Sequence, residues 1–460
     1  MQVLKMNITR KSVNKVSRTL FPLLLIAIWL LSACNPAKRG TRTTQNRPVK
    51  TNKPTAPNRF EPMDTIRWTP DNTRPPITND PSRMGSKPEI QGGNYHIAYL
   101  LPFLTKQAVA GSVPGKSTLA LQFYTGAKIA LQQFSEEGNM EIQVDVWDTQ
   151  ANDADFEALL KNNSRLLNSY VFIGPIRSSH LEMISEWAKT NRKIVVSPDS
   201  PSSGLAKQNP DFIQLNPSLE SHCAGILKYI KKNSRADAVT IICKEKEAGR
   251  IAYFQKANGD VEGGTSQLRR LIMPDAATNF ERVDLKQYIR PGRTSVFILP
   301  TWTSQDYVMA LLRRLKAVKG SNKVEVYGMP QWQNFDVIDA EYLREMNVHI
   351  SAASYLDYTN EEIKSFQQKF YEMSGTIPNE DAFNGYDATM FTLKMLGKYG
   401  LSFPENLDIE TFKSFHGIFT FSKIFNTQSV DDSFNKPDYL ENTRVHILKY
   451  GQYGYQPVDR

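Results

Sequence analysis

The sequence predicts an α/β protein made of two doubly wound, Rossmann-like lobes. Short apolar segments alternate with segments of helical periodicity from residue 95 to residue 399. Most of these apolar segments are uninterrupted, which is typical of parallel strands buried on both faces. The strand and helix series runs to residue 232 and begins again at Ala238, so we expect one lobe from each series.

The first lobe is predicted over 94–213, and its centre is a βαβ unit spanning 170–204. Its strands are predicted at 95–103, 141–147, 171–173, 194–196 and 212–215, and its helices at 118–137, 153–167 and 178–191. The two strands of the βαβ unit end in small polar loops that contain Ser178, Ser179 and Ser200. Ligands of open parallel sheets bind beyond the carboxyl ends of the strands, so a small-molecule site would use these serines.

The second lobe is predicted over 214–352. Its strands are predicted at 238–243, 268–273, 296–299, 324–327 and 348–352, and its helices at 219–232, 247–257, 280–290, 303–319 and 337–346. Residues 353–410 are expected to return to the first lobe and the hinge, with helices at 361–373 and 380–399. Residues 411–460 are expected to add strands at 418–421 and 444–450 near the hinge or the second lobe.

The positive charge of the chain is concentrated at its N-terminus. Residues 1–87 contain 16 of the 56 Lys and Arg but only 4 of the 47 Asp and Glu, which leaves 40 basic and 43 acidic residues in 88–460. A nucleic-acid-binding domain needs a basic face on its folded part. The near balance of charge over 88–460 therefore argues against a nucleic-acid partner.

The N-terminus has the pattern of a lipoprotein signal peptide over 1–33. Basic residues precede an apolar run from Leu20 to Leu31, which is shorter than a membrane-spanning helix needs. The run ends in Leu31-Ser32-Ala33-Cys34, which resembles the bacterial lipobox, so Cys34 is the expected site of lipidation. The alternative is an uncleaved anchor with an incidental cysteine. Acyl chains on Cys34 would hold the protein on a membrane, facing the periplasm; the sequence leaves open whether that is the inner or the outer membrane.

Residues 34–93 are predicted to be a disordered tether. The segment mixes prolines with Thr, Asn and Arg and has few apolar residues, so it cannot bury enough surface to offset its chain entropy. Its simplest role is a spacer that lifts the lobes off the membrane. Alternatively, its basic residues touch anionic lipid or cell-wall polymer.

Five phrases of the sequence resemble the type I periplasmic binding proteins of the Leu/Ile/Val receptor kind. They occur in the order of that family and are WDTQAND (147–153), VFIGPIRSS (171–179), KIVVSPDSPSS (193–203), LNPSLESHCAGILKYI (215–230) and PNEDAFNGYDATMFTLKML (378–396). The resemblance implies two lobes joined by about three crossovers, a ligand cleft between them and hinge closure around a ligand.

The resemblance also implies where the first lobe would hold a ligand carboxylate. Ser178 and Ser179 match the serine that follows the third strand, and their amides lie at a helix N-terminus, which favours anions. After the fourth strand, Asp199-Ser200-Pro201 replaces the Gly-Ala-Thr usual in the family, so a threonine is lost and a negative charge is added. This difference argues against a free amino acid as the ligand. Helix capping is the alternative role for the serines.

In the second lobe, the candidate ligand-binding residues are Glu245, Trp302, Gln331 and Trp332, which follow strand ends. The family places an aromatic residue and an acid there to hold an ammonium group, and Trp302 and Trp332 could stack on a sugar, a peptide or a cation. The alternative for both tryptophans is packing in the core or between the lobes.

Four further residues have open interpretations. Tyr386-Asp387 lies inside a predicted helix, where packing against the hinge is the favoured interpretation. Cys223 and Cys243 face the same end of the second sheet, so either a disulfide or two separate buried thiols is expected.

The sequence gives little support for catalysis. The six histidines lack the spacing of metal ligands, and no HExxH, Walker loop or GxSxG motif is present. We therefore expect no enzyme activity, no metal and no cofactor.

Two functions remain. The first is a membrane-anchored substrate-binding lipoprotein that captures an amino-acid-like or peptide ligand between its lobes, with an ABC permease as partner. The second is a scaffold or regulator of peptidoglycan synthesis that uses the same fold without a small ligand and binds an envelope protein.

Overall fold

The structure is a computed structural model that describes residues 94–459, except for 110–111, 138–139, 235–237, 261–266, 277–279, 281, 337 and 426–435. The predicted signal peptide, Cys34 and the tether lie outside the described residues.

Most strands of the described ranges lie where the sequence predicts them, and three short strands near the C-terminus, at 411–413, 439–442 and 454–457, are additional to the prediction. The strands are β1 (Asn94–Leu101), β2 (Glu141–Asp148), β3 (Val171–Ile173), β4 (Ile194–Ser197), β5 (Phe212–Gln214), β6 (Ala238–Lys244), β7 (Gln267–Met273), β8 (Ser295–Ile298), β9 (Val324–Gly328), β10 (Val348–Ala352), β11 (Thr411–Lys413), β12 (Ile418–Ile424), β13 (Tyr439–Asn442), β14 (His446–Gly451) and β15 (Gly454–Pro457).

The helices follow the strands in the alternating order of a doubly wound fold. They are α1 (Thr118–Glu137), α2 (Asp153–Asn162), α3 (Ser178–Asn191), α4 (Leu219–Asn233), α5 (Ile251–Asp260), α6 (Gln305–Lys319), α7 (Ala340–Glu345), α8 (Glu361–Ser374), α9 (Glu380–Tyr399) and α10 (Phe403–Asn406). None of the helices in the described ranges is both long enough and apolar enough to span a bilayer.

Two separate sheets form the cores of two lobes, which confirms the predicted fold class. The first sheet has the order β11-β12-β13-β5-β4-β3-β1-β2, and the second has the order β15-β14-β10-β9-β8-β6-β7. Strands β1 to β5 pair in parallel, as do β6 to β10, whereas β12 and β14 pair antiparallel to their neighbours β13 and β10.

The apolar strands are buried on both faces, as their composition predicts. In β3, Val171 and Ile173 pack in one apolar cluster with Phe123 of α1, whereas Phe172 points to the opposite face and packs with Leu181 of α3. Helices thus cover both faces of the first sheet, which explains why this strand has no polar position.

The chain crosses between the lobes three times, and we call these three segments the hinge. The crossings are 215–218 between β5 and α4, 353–360 between β10 and α8, and 443–445 between β13 and β14. Glu441 of β13 is buried beside the first crossing, where it accepts hydrogen bonds from the amide of Ser218 at 2.9 Å and the hydroxyl of Ser221 at 2.5 Å. Glu441, a residue of the first lobe, therefore accepts the hydrogen bonds of two donors at the start of α4, the first helix of the second lobe.

Helix α9 is held close to α1 because both helices carry glycine where they meet. A Cβ atom at Gly385 would clash with the backbone carbonyl of Phe123, and one at Gly126 would clash with that of Ala382. This close approach fixes the position of α9, whose first turns face the hinge.

Two regions differ from the prediction. The described residues of 280–290 do not form a regular helix: they have 3-10 geometry at 280, 282 and Lys286–Tyr288, and the last of these follows Asp284, whose carboxylate accepts a hydrogen bond from the Lys286 amide at 2.9 Å. Such side-chain bonds compete with helix formation. In the C-terminal segment, β11, β12 and β13 extend the first sheet, and only β14 and β15 join the second.

Candidate functional site

The two serines predicted to hold a ligand carboxylate lie at the start of α3, beside the start of α2. Ser178 is exposed, and the hydroxyl of Ser179 donates a hydrogen bond to Oδ1 of Asp153 at 2.9 Å. The same oxygen lies 3.5 Å from the Arg177 guanidinium and 3.2 Å from Nε2 of the buried His180. A carboxylate of the chain itself therefore occupies the place where a ligand carboxylate was expected.

The electrostatics of this cluster favour a charged Asp153. The hydrogen bond from Ser179 and the nearby Arg177 lower the pKa of Asp153 below its ordinary value. Burial lowers the pKa of His180, whose ring stacks on Phe156 at 4.3 Å between centroids. Asp153 thus stays ionised at neutral pH and competes with any external anion for Ser179.

The loop after β4 carries Asp199 and Ser200. Ser200 is buried, and its hydroxyl oxygen accepts a hydrogen bond from the Ser202 amide at 3.4 Å. Asp199 is half-buried, and its backbone carbonyl accepts a hydrogen bond from the side chain of Asn216 at 2.5 Å. The loop is thereby attached to the first crossing of the hinge.

In the second lobe, the acid near the end of β6 that is half-buried is Glu247 and not the predicted Glu245. Glu245 is exposed, whereas Glu247 accepts a hydrogen bond from the hydroxyl of Thr301 at 2.8 Å and pairs with Arg250 at 3.1 Å. Arg250 also donates to the carbonyl of Pro300 at 2.7 Å. The acid is therefore already neutralised within the lobe.

The two tryptophans differ in their surroundings. Trp332 is buried in the core of the second lobe, and its Nε1 donates to the carbonyl of Thr301 at 2.8 Å. Trp302 is half-buried and meets the ring of His222 edge-on, with centroids 6.2 Å apart. Gln331 is also half-buried, and its Oε1 has no hydrogen-bond partner among the described residues. Of these three residues, Trp302 and Gln331 retain surface that could meet a ligand.

A cavity of about 170 Å³ lies at the hinge, and we call it the hinge cavity. Residues of the β4 loop, of the first two crossings, of the first turns of α9 and of the region around β12 line it. They are Pro198, Asp199, Leu215, Asn216, Pro217, Ala353, Ser354, Glu380, Asp381, Asn384, Asp387, Ala388, His416 and Phe419. Asp199 is the one residue of the predicted site that lines this cavity.

Four carboxyl groups make the hinge cavity acidic. Burial raises the pKa of Asp199, and the neighbouring Asp381 and Glu380 raise it further. Burial also raises the pKa of Asp381, with a further increase from Glu380. These shifts indicate negative groups that are close together and poorly solvated.

Asp387, the fourth acid, is bound from several sides. It is buried and accepts hydrogen bonds from the amides of Phe415 at 2.9 Å and His416 at 3.1 Å. Its Oδ2 also lies 2.8 Å from Nδ1 of His416. The predicted packing of Asp387 against the hinge thus takes the form of a buried carboxylate–histidine pair.

A second, larger cavity of about 510 Å³ lies on another side of Asp387. Its aromatic wall includes Phe366, Tyr386 and Phe415, and the rings of Tyr386 and Phe415 stack at 4.4 Å between centroids. The hydroxyl of Tyr386 donates to Gln133 of α1 at 2.9 Å. Tyr386 therefore contributes to the packing of α9 on α1.

Sequence reasoning missed Glu380, Asp381 and His416 as site residues. Glu380 and Asp381 follow the N-cap residue Asn379, where acids are common because they complement the helix dipole. His416 lies in a loop, far in sequence from the other lining residues. The sequence signal that could have identified this part of the site is the pair of adjacent acids at the start of α9, the helix whose first turns face the hinge.

The cysteines and the acidic groups contain no assembled metal site in the described residues. Cys223 and Cys243 are both buried and unpaired. No group of three or more His, Cys, Asp or Glu residues in the described ranges has the geometry to hold a metal ion.

Comparison with known proteins supports the two-lobed fold. Residues 123–258 match the model of the receptor family ligand binding region. No curated protein sequence matches the chain significantly.

Solved structures share the fold at low sequence identity. A branched-chain amino acid ABC transporter protein from Rhodospirillum rubrum is 14% identical with a TM-score of 0.57, and the match covers 79% of this chain and 100% of that one. An ABC transporter substrate-binding protein from Desulfitobacterium hafniense is 16% identical with a TM-score of 0.51, covering 79% and 100%. A branched-chain amino acid periplasmic ligand-binding protein from Burkholderia xenovorans is 12% identical with a TM-score of 0.51, covering 79% and 94%.

These likenesses confirm the resemblance drawn from the sequence at the level of the fold. The chain has the architecture of the type I periplasmic binding proteins. Its predicted carboxylate-binding position is occupied by Asp153, however, and its hinge cavity is acidic.

Proposed function

We propose that the chain is a membrane-anchored periplasmic protein that captures a small ligand at the hinge between its lobes and passes it to an ABC permease. The hinge cavity is the observation that carries this proposal, because it is lined by two of the three interlobe crossings. A ligand there would touch the segments that must bend when the lobes close. The solved structures with the same fold, described as ABC transporter proteins, support a transport role.

The test of ligand capture is a thermal-shift screen of the purified lobes, residues 94–460, against amino acids, amines, peptides and muropeptides. A ligand bound at a hundred times its dissociation constant stabilises the folded state by about 2.7 kcal/mol. We therefore expect a shift of several degrees for the cognate class. The absence of a shift with every class would contradict ligand capture.

The proposed anchor is Cys34, acylated after removal of residues 1–33. The supporting observation is the sequence Leu31-Ser32-Ala33-Cys34 after a short apolar run. Cells labelled with a fatty-acid analogue should contain a labelled wild-type protein in the membrane fraction, and Cys34→Ala should lose the label. A labelled Cys34→Ala protein would disprove this anchor.

A second candidate function is a scaffold or regulator of envelope synthesis without a small ligand. Asp153 and Glu247 favour it, because both acids are neutralised by contacts within their own lobes. If the protein has this function, no compound in the thermal-shift screen raises its melting temperature, and cross-linking in cells captures an envelope protein through the lobes. Under the first function, the lobes bind a ligand in isolation.

A further inference from the structure

The hinge cavity has the wrong charge for the carboxylate of an amino acid. Its described lining includes Asp199, Glu380, Asp381 and Asp387, but no lysine or arginine. A carboxylate entering this space would meet like charges in a partly desolvated region, where repulsion is stronger than in water. A cation would meet several acceptors.

Three of these acids, Asp199, Glu380 and Asp381, have no cationic partner among the residues that the structure describes. Ser354 donates to Glu380 at 3.1 Å and Asn379 donates to Asp381 at 2.8 Å, and both donors are neutral. The carboxylate of Asp199 makes no hydrogen bond or ion pair with the described residues. Asp199 and Asp381 are half-buried and Glu380 is exposed, so the cavity combines an excess of negative charge with partial loss of solvent, and a cationic ligand would offset that charge.

His416 gives an independent indication of the same kind of ligand. It lines the hinge cavity and is 4% exposed, and its Nε2 has no hydrogen-bond partner within the described ranges. Nδ1 of His416 lies 2.8 Å from Oδ2 of Asp387. An ionised carboxylate can only accept a hydrogen bond, so the proton between these two atoms is on Nδ1. In the neutral ring Nε2 is then an acceptor, and an ammonium group offers the donor that it lacks.

The hinge cavity is small and partly open to solvent. Its volume of about 170 Å³ holds a cluster of water molecules, each of which needs about 10–15 Å³ of such space. That is the space for a short aliphatic amine or diamine. A peptide or a sugar ring with substituents would not be enclosed without opening the lobes.

We propose that the hinge cavity binds a small organic cation, a primary amine or a short diamine, through Asp199, Glu380 and Asp381. This inference rests on the proposed function and names its ligand class. The carboxylates accept hydrogen bonds from the ammonium protons, and Asp387 with His416 forms the end of the cavity nearest α9.

The test is isothermal titration of the lobes with four probes: 1,4-diaminobutane, leucinamide, leucine and 4-methylpentanoate. Leucinamide keeps the ammonium and side chain of leucine without its carboxylate, and 4-methylpentanoate keeps the carboxylate without the ammonium. We expect the two amines to bind more tightly than leucine, and 4-methylpentanoate not to bind. If leucine and 4-methylpentanoate bind and the amines do not, ligand capture stands and the cation site is wrong. If none of the four probes binds and no compound in the thermal-shift screen shifts the melting temperature, the proposal of ligand capture is itself wrong.

Variants locate the site. Asp199→Asn and Glu380→Gln keep the side-chain shape and should each weaken amine binding about tenfold or more, because a charge-assisted hydrogen bond becomes a neutral one. Glu186→Gln, on the exposed face of α3, removes the same charge and should leave the affinity unchanged. Circular dichroism verifies that each variant is folded. Equal affinities for wild type, Asp199→Asn and Glu380→Gln, or equal weakening by Glu186→Gln, would overturn the assignment.

Discussion

The hydroxyl of Ser179 donates a hydrogen bond to the carboxylate of Asp153 at 2.9 Å, at the point where two helices of the first lobe begin. The resemblance to the type I periplasmic binding proteins predicts this serine as the partner of a ligand carboxylate. Here the chain supplies the carboxylate itself, and the acidic groups at the hinge make an anionic ligand still less favourable. Both features favour the proposal of a cationic ligand.

Removing Asp153 should restore an anion site. Asp153→Ala frees Ser179 and Arg177 beside the N-terminal amides of α3, and it should make binding of 4-methylpentanoate measurable where wild type shows none. Titration calorimetry at low salt measures this change.

The matched control for that variant is Asp155→Ala. Asp155 lies in the same helical turn but pairs with the exposed Lys106 at 2.6 Å. An equal gain in both variants would mean that the effect is only the change in net charge, and the local explanation would be wrong.

Gly385→Ala should destabilise the protein. Its new methyl group would meet the carbonyl of Phe123, so α9 and α1 must separate, and overpacking of this kind costs about 1–3 kcal/mol. Thermal unfolding should show a melting temperature lower by several degrees. Gly259→Ala in α5, where a Cβ meets nothing within 4 Å, should leave stability unchanged or raise it. Equal effects of the two substitutions would contradict close packing at Gly385.

Glu441 should be needed at the hinge as a hydrogen-bond acceptor. Glu441→Ala leaves the amide of Ser218 and the hydroxyl of Ser221 buried without their acceptor, at a cost of about 2–4 kcal/mol. Glu441→Gln keeps an oxygen in the same place and should recover most of that loss. Denaturant unfolding of the three proteins measures both changes. If Gln were as damaging as Ala, the hydrogen bonds would not be the reason for the carboxylate.

His222 should make the protein sensitive to acid. Burial lowers its pKa to about 3, whereas the unfolded chain takes up a proton near pH 6.5. Because the folded-state pKa is depressed, the contribution of His222 to stability is present above pH 6.5 and is lost as the pH falls. Between pH 7 and pH 4, wild type should lose about 3 kcal/mol relative to His222→Leu.

The measurement is the free energy of unfolding of wild type and of His222→Leu at several pH values between pH 7 and pH 4. Trp302→Phe alters the ring that contacts His222 without adding or removing a titrating group. Its difference from wild type should therefore be constant with pH. A constant difference for His222→Leu as well would show that His222 is not held neutral.

Strand β3 could be predicted because its residues are apolar at every position. Val171, Phe172 and Ile173 have no polar member, and only a strand with helices on both of its faces accommodates such a run. The region 280–290 could not be predicted in the same way, because the hydrogen bond from the Lys286 amide to Asp284 overrides its helical spacing.

Only part of the candidate site could be predicted from the sequence. Asp199 follows a strand, so the rule for parallel sheets places it at the correct edge, and it does line the hinge cavity. Trp332 also follows a strand, but a hydrogen bond to the carbonyl of Thr301 holds it in the core. Sequence position identifies the end of a sheet at which a side chain begins, and packing decides whether that side chain reaches solvent.

The sequence by itself determined the two lobes, the parallel order of their strands and the expected lipid anchor, because apolar periodicity and a signal-peptide pattern are local properties of the chain. Only the tertiary structure decided the charge of the candidate site. Asp199, Glu380 and His416 come from three distant parts of the chain, which crosses the hinge twice between Asp199 and Glu380, and the fold brings all three to one cavity. Electrostatic interaction depends on distance in space, so no local pattern could reveal that these groups line the same cavity.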